Sequence, residues 1–114
     1  MAKNYKHSGR TVRATAGAAR SAGNPVREDN WCGVIEDDAA NGAEYVLNVE
    51  GVYELTVPSG VAKGDVVYIE TTGMTLTKTT TGNYIFGRAV TARNATSGKA
   101  WIKIIQPETN AAAA

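Results

Sequence analysis

Between positions 45 and 57 the chain alternates: Tyr45, Leu47, Val49, Gly51, Tyr53, Leu55 and Val57 take the odd positions, and Asn48, Glu50, Glu54 and Thr56 fall among the even ones. Period two sends successive side chains to opposite faces of an extended chain, so the run predicts a long strand with one face in a core. Gly51 interrupts that face without a side chain to pack, which predicts a bulge or a sharp bend where the strand turns a barrel corner.

Shorter runs of the same kind follow one another between turn signals. Strands are expected over 10–15, 31–36, 65–71 (apolar on both faces), 74–80, 84–91 and 100–105, separated by Pro58-Ser59-Gly60, Thr72-Gly73, Gly82-Asn83 and 94–98. Asn41-Gly42 reads as a hairpin turn, because both residues tolerate positive φ. The stretch 16–23 is rich in Ala but broken by Gly and followed by Asn24-Pro25, so it reads as a loop holding no more than a helical turn. Seven or eight short strands at this spacing predict an all-β fold, a small single-domain β-barrel or sandwich. Residues 1–9 read as an extended basic N-terminal arm, 10–106 as the β-barrel domain and 107–114 as a flexible tail. From Gln106 to Ala114 the sequence offers nothing to bury.

Composition supports the strand reading. Thr 13, Val 11 and Ile 6 far outnumber Leu 3 and Met 2, and side chains branched at the β-carbon pack better on a pleated sheet than in a helix. With 114 residues one domain fits, and 18 Ala make its core thin, which suggests help from a partner subunit. No apolar run approaches the ~18 residues of a membrane span, and the N-terminus leads into polar sequence, so a soluble protein made in the cytoplasm is expected, with no membrane partner. Cys32 stands alone and has no partner for an intrachain disulfide.

The net charge of +1 conceals a strong asymmetry: the chain up to Arg27 carries six bases and no acid, and positions 28–54 carry eight acids and no base. Such blocks suit docking on a charged surface or head-to-tail contact between copies, against the plainer reading of a solvated arm and a solvated strand face. On this basis Lys3, Tyr5, Lys6, Arg10 and Arg13 of the arm region are candidate docking residues, joined by Trp31 and Trp101 as core or subunit-interface residues.

Catalytic patterns fail one by one. His7 is the only histidine and lies in the arm, where no nucleophile can be held at fixed distance from it. One Cys and one His cannot build a zinc site, and Glu36-Asp37-Asp38 lacks the spacing of a calcium loop. Ser97-Gly98-Lys99 resembles the end of a phosphate loop, but Arg93 and Ala100 stand where Gly and Ser/Thr are required. Asn94-Ala95-Thr96 is a glycosylation triplet without a secretory route. Tyr84 and Phe86 lie two apart on a strand and read as core more readily than as a base-stacking platform. The expectation is a protein that is not an enzyme and needs no cofactor or metal.

Six segments taken in order resemble the phage capsid cement, or head decoration, family. They are Met1-Ala2-Lys3-Asn4-Tyr5, Ser21-Ala22-Gly23-Asn24-Pro25-Val26, Asp38-Ala39-Ala40-Asn41-Gly42, Gly51-Val52-Tyr53-Glu54-Leu55, Gly64-Asp65-Val66-Val67-Tyr68 and Ile102-Lys103-Ile104. The chain departs from the family pattern at Cys32 and in the density of bases in its first strand. The resemblance implies a small β-barrel that binds the major capsid protein on the outer surface of an expanded icosahedral head, as a homotrimer, and stabilises the virion. A nucleic-acid-binding module, its basic arm tracking phosphates, is the alternative, and the acidic stretch argues against a large binding face of that kind. A small hydrolase or sugar-binding enzyme would need a paired-carboxylate cleft.

Overall fold

The computed structural model describes residues 9–71 and 73–106; the expected arm apart from Gly9, and the expected tail, lie outside them. Nine strands and no helix are found among the described residues: β1 (Thr11–Thr15), β2 (Pro25–Glu28), β3 (Trp31–Ile35), β4 (Glu44–Asn48), β5 (Val52–Thr56), β6 (Val66–Ile69), β7 (Leu76–Thr77), β8 (Tyr84–Ala89) and β9 (Lys99–Ile104). They form two antiparallel sheets, one ordered β1-β4-β3-β2 and the other β5-β9-β8-β6-β7. Each curls into a half-barrel, so the all-β expectation holds.

The alternating run is the hinge between the sheets. Its buried odd residues serve two cores: Tyr45, Leu47 and Val49 pack with Ala14, Val26 and Ile35 inside the first sheet, while Leu55 and Val57 pack with Ile69, Phe86 and Ile102 in the second. Between them the chain changes sheets at Gly51, whose φ of +114° is a conformation that side-chain-bearing residues rarely adopt. The expected strand is therefore two strands, with the bend where the missing side chain placed it. Gly51→Val is expected to lower stability by about 1–3 kcal/mol through backbone strain, since a Cβ there meets nothing closer than Tyr53 Cε2 at 3.5 Å. A thermal melt that stays put would remove strain from the account.

β3 is shared by both cores. Cys32 and Val34 face the second sheet, and Ile35 faces the interior of the first. Gly33 and Gly87 let the sheets curl tightly: a Cβ at Gly33 would strike Asn48 O and the Leu47 side chain, and one at Gly87 would strike Lys103 O and Ile102 Cγ2. Phe86, fully buried, is the extra residue of a β-bulge, because β6 passes from opposing Gly87 to opposing Ile85 without a partner for it.

Several local expectations give way to pairing. Pro25–Glu28, where no strand is expected and Asn24-Pro25 reads as a turn signal, is a strand, joined to β3 by the two-residue loop Asp29-Asn30 with φ of +51° and +68°. Both angles are those of a type I′ turn, whose twist matches the flanking strands. Asn41-Gly42 is not a tight hairpin but the middle of a β-turn in a longer connection, with Ala43 N–H donating to Ala40 O and Gly42 N–H donating to Ala16 O. Of the Thr-rich strand expected over 74–80, only Leu76–Thr77 pairs.

Candidate functional site

Glu28 is the one buried charged or polar side chain of the described residues, and it organises the open side of the first sheet. Arg20 reaches it in a fork, Nε to Oε1 at 2.8 Å and Nη2 to Oε2 at 3.0 Å. The Tyr45 hydroxyl donates to Oε1 at 3.0 Å and the Gly17 N–H at 3.3 Å. Burial pushes the Glu28 carboxyl up, but the hydrogen bonds from Arg20, Tyr45 and Gly17 outweigh it and leave the group below its ordinary value. Burial, followed by the neighbouring Glu28, raises the Tyr45 phenol, which stays neutral and able to donate. The Arg20 backbone then pairs with Ala39 in both directions at 2.8 and 3.0 Å, and Asp29 accepts from Thr15 N–H at 3.0 Å. The 16–23 segment is thus a strap tied by one buried ion pair, and the tip of the β2–β3 hairpin is brought to the end of β1.

A second polar device closes the seam between the sheets. β3 and β4 pair only at Val34–Asn48 and Ile35–Leu47, so Cys32, which lies opposite Arg27 of β2 on one side, has no strand partner on its β4 side. Gln106 replaces it: its Oε1 accepts from Cys32 N–H at 2.8 Å, and its Nε2 donates to Cys32 O at 2.7 Å and to Val49 O at 3.1 Å. The amide imitates one residue of a β-ladder, contrary to the expectation that Gln106 has nothing to bury. Gln106→Ala should cost about 1–3 kcal/mol, because the Cys32 amide is left unpaired in a half-buried seam. An unchanged urea midpoint would contradict this. The Cys32 thiol beside it, with Sγ 3.3 Å from Ile85 O, is pushed up to about 11 by burial and is inert as a nucleophile.

The outer face of the second sheet is of a different character. Val52, Val90 and Trp101 are exposed there, Trp101 by 52%. Val52, Glu54 and Trp101 line one shallow depression, with Glu54 directly opposite Trp101 and Val52 opposite Lys103. Arg88 lies across from Lys103 on β8 and Lys99 across from Thr56. The result is an apolar patch with a mainly basic rim, the composition of an interaction surface rather than of a solvated sheet face. A cleft of about 790 Å3 runs beside it, between the β5 edge, the start of β2 at Pro25 and the turn at Met74. Arg20, which lines it, is already paired with Glu28.

Of the expected docking residues, Lys3, Tyr5 and Lys6 lie outside the described residues. Arg10 and Arg13 are exposed, Arg13 lying 3.7 Å from Glu44 in a solvent-exposed pair. Trp31, 42% exposed, opens β3 in the first sheet, opposite Glu28, whereas Trp101 belongs to the second. The structure thus sets the two tryptophans on different sheets, Trp101 with Val52 and Val90. Sequence reading passes over those two valines, although Val52 is the one apolar residue besides Val46 at an even position of the alternating run. Arg27, counted only as part of the basic block, lies over the Tyr84 ring at 3.6 Å from its centroid.

No curated protein and no solved structure matches this chain. A family model described as phage cement protein matches residues 6–104, a span holding every strand and the Arg20–Glu28–Tyr45 network. The chain belongs to the phage cement protein family, and its role is a structural one at the phage capsid.

Proposed function

We propose that the protein binds the outer surface of the expanded icosahedral head, contacts the major capsid protein as a homotrimer, and stabilises the shell by multivalent non-covalent binding. The observation that supports this reading most directly is the Val52–Trp101–Val90 patch with its basic rim, set on a sheet face that neither core uses. A ligand that binds only the assembled, expanded lattice stabilises that lattice by mass action, and three linked copies gain avidity over one. In this reading Trp101 is the apolar anchor, and Lys3, Tyr5, Lys6, Arg10, Arg13 and Trp31 form a second contact region around the N-terminus that adds backbone pairing and charge-assisted contacts to acidic groups.

The test is titration of purified protein onto empty expanded shells, with occupancy read by sedimentation. Trp101→Ala is expected to weaken binding by about tenfold to a hundredfold, the effect of truncating an aromatic hot spot. Deleting residues 2–8 is expected to weaken it less and to flatten its salt dependence. Unchanged occupancy for both variants at low and high salt would remove this docking surface from consideration.

A further inference from the structure

Strand edges are where a sheet protein is open to another chain, and this fold protects its edges unequally. β2 carries Pro25, which has no N–H, on its outer side, and β7 is two residues long. β1 and β5 are the two five-residue edges. The side of β5 that is free follows from its ladder with β9. Val57 N–H donates to Gly98 O and Ile104 N–H to Gly51 O, so the bonded residues of β5 are the odd ones. The N–H and C=O groups of Val52, Glu54 and Thr56 therefore point away from β9, and no described residue pairs with them. The cleft of about 790 Å3 lies along this edge, with the 17–26 segment and the turn at Met74 as its far wall, so open space and not a strand adjoins the outward groups. On β1, Val49 N–H donates to Arg10 O and Ala16 N–H to Ala43 O, so Thr11, Arg13 and Thr15 carry the outward groups. Asp29 occupies only the N–H of Thr15.

From this complementarity we infer that the β5 edge of one copy pairs antiparallel with the β1 edge of a second copy, joining the two sheets head to tail. The inference rests on the self-association in the reading above. Centring the pairing on Glu54 sets it directly opposite Arg13 of the second copy, Val52 opposite Thr15 and Thr56 opposite Thr11. Two hydrogen bonds form at each of the Glu54–Arg13 and Thr56–Thr11 pairs, and one at Val52–Thr15, because the Thr15 N–H is already taken. Residues facing each other across such a pair share one side of the sheet, so an ion pair and two pairs of β-branched side chains form together. Pairing β5 with itself about a two-fold axis would set Glu54 against Glu54, which disfavours that arrangement. A contact between two different edges is heterologous, and it closes into a ring when the rotation per copy divides the circle, as a trimer requires.

Two measurements on the full chain in solution test the pairing. In the first, mass is followed by light scattering as protein is diluted. Arg13→Glu and Glu54→Arg are each expected to weaken association by about tenfold per interface, and the double exchange to restore it. In the second, Arg13→Cys and Glu54→Cys are combined and oxidised mildly with diamide. Opposed residues of a bonded pair lie about 5.5 Å apart at Cα, within disulfide range, so non-reducing gels should show linked multiples. Cys32 is fully buried and stays out of the exchange. Circular dichroism and melting of each variant show that the exposed substitutions leave the fold intact. A wild-type mass of 12.0 kDa at every concentration would overturn both self-association and the edge pairing. An oligomer whose mass ignores both charge reversals, or in which Arg13→Cys alone cross-links as well as the pair, would keep self-association and overturn the edge pairing.

Discussion

Glu28→Ala will destabilise the domain by about 3 kcal/mol, with the loss read as a lower urea midpoint at an unchanged slope. The estimate follows from removing one partner of a nearly buried ion pair, which leaves the other charge uncompensated. Arg20 and Glu28 side chains are only 12% and 10% exposed, so solvent screens little of the effect. The same network fixes a pH dependence. The folded Glu28 carboxyl lies below its ordinary value of 4.5, so its contribution is complete above about pH 4.5 and is lost as the pH falls through the folded value. The Tyr45 phenol lies above its ordinary 10.0, so its contribution is complete below that pH and declines at more alkaline pH. Stability should therefore show an acid limb that Glu28→Gln makes shallower, the Asp65 carboxyl, held low by the Ala62 N–H and Lys78, supplying part of what is left. An acid limb as steep in Glu28→Gln as in the wild type would assign it to other carboxylates.

Gly87→Ala, a single added methyl, is expected to cost about 3 kcal/mol. The new Cβ would meet the backbone oxygen of Lys103 and the Ile102 Cγ2 atom 2.8 Å away. The side chain can shift; the carbonyl belongs to the ladder between β8 and β9 and cannot move without opening it. Because β9 also pairs with β5, relief at Gly87 would propagate to the exposed face. A melting temperature within a degree of wild type would mean that the sheet curls less tightly there than the structure has it.

Much of the architecture is legible in the alternation of 45–57. Tyr45, Leu47, Val49, Leu55 and Val57 are all buried, and Gly51 marks the change of sheet. The alternation alone cannot say that its two halves serve different cores, because period two survives a bend. β2 escapes sequence reading because Pro25 and the preceding Gly and Asn carry turn signals, while its strand character comes from pairing with β3 across a turn made by Asp29 and Asn30, a weaker I′ signal than Asn-Gly. The Thr-rich stretch after Met74 shows the reverse: its residues favour strands, but β6 ends at Ile69 and leaves them little to pair with. The Arg20–Glu28–Tyr45 network is formed by residues that look like ordinary surface charges and a core tyrosine until strap and strands converge. Trp101 is legible as an interface candidate; its separation from Trp31 is a matter of topology.

The Gln106 latch also bears on when the protein can fold during its own synthesis. Cys32 waits for a partner 74 residues further along the chain, and β5 waits for β9. The shared strand β3 is not fully paired until residue 106 has left the ribosomal tunnel, so native pairing of the seam cannot be completed before then. The nascent chain meanwhile displays the β5 edge and both unfinished cores to its neighbours on the same polysome. In a cell making many copies at once, that interval is when aggregation competes most strongly with folding.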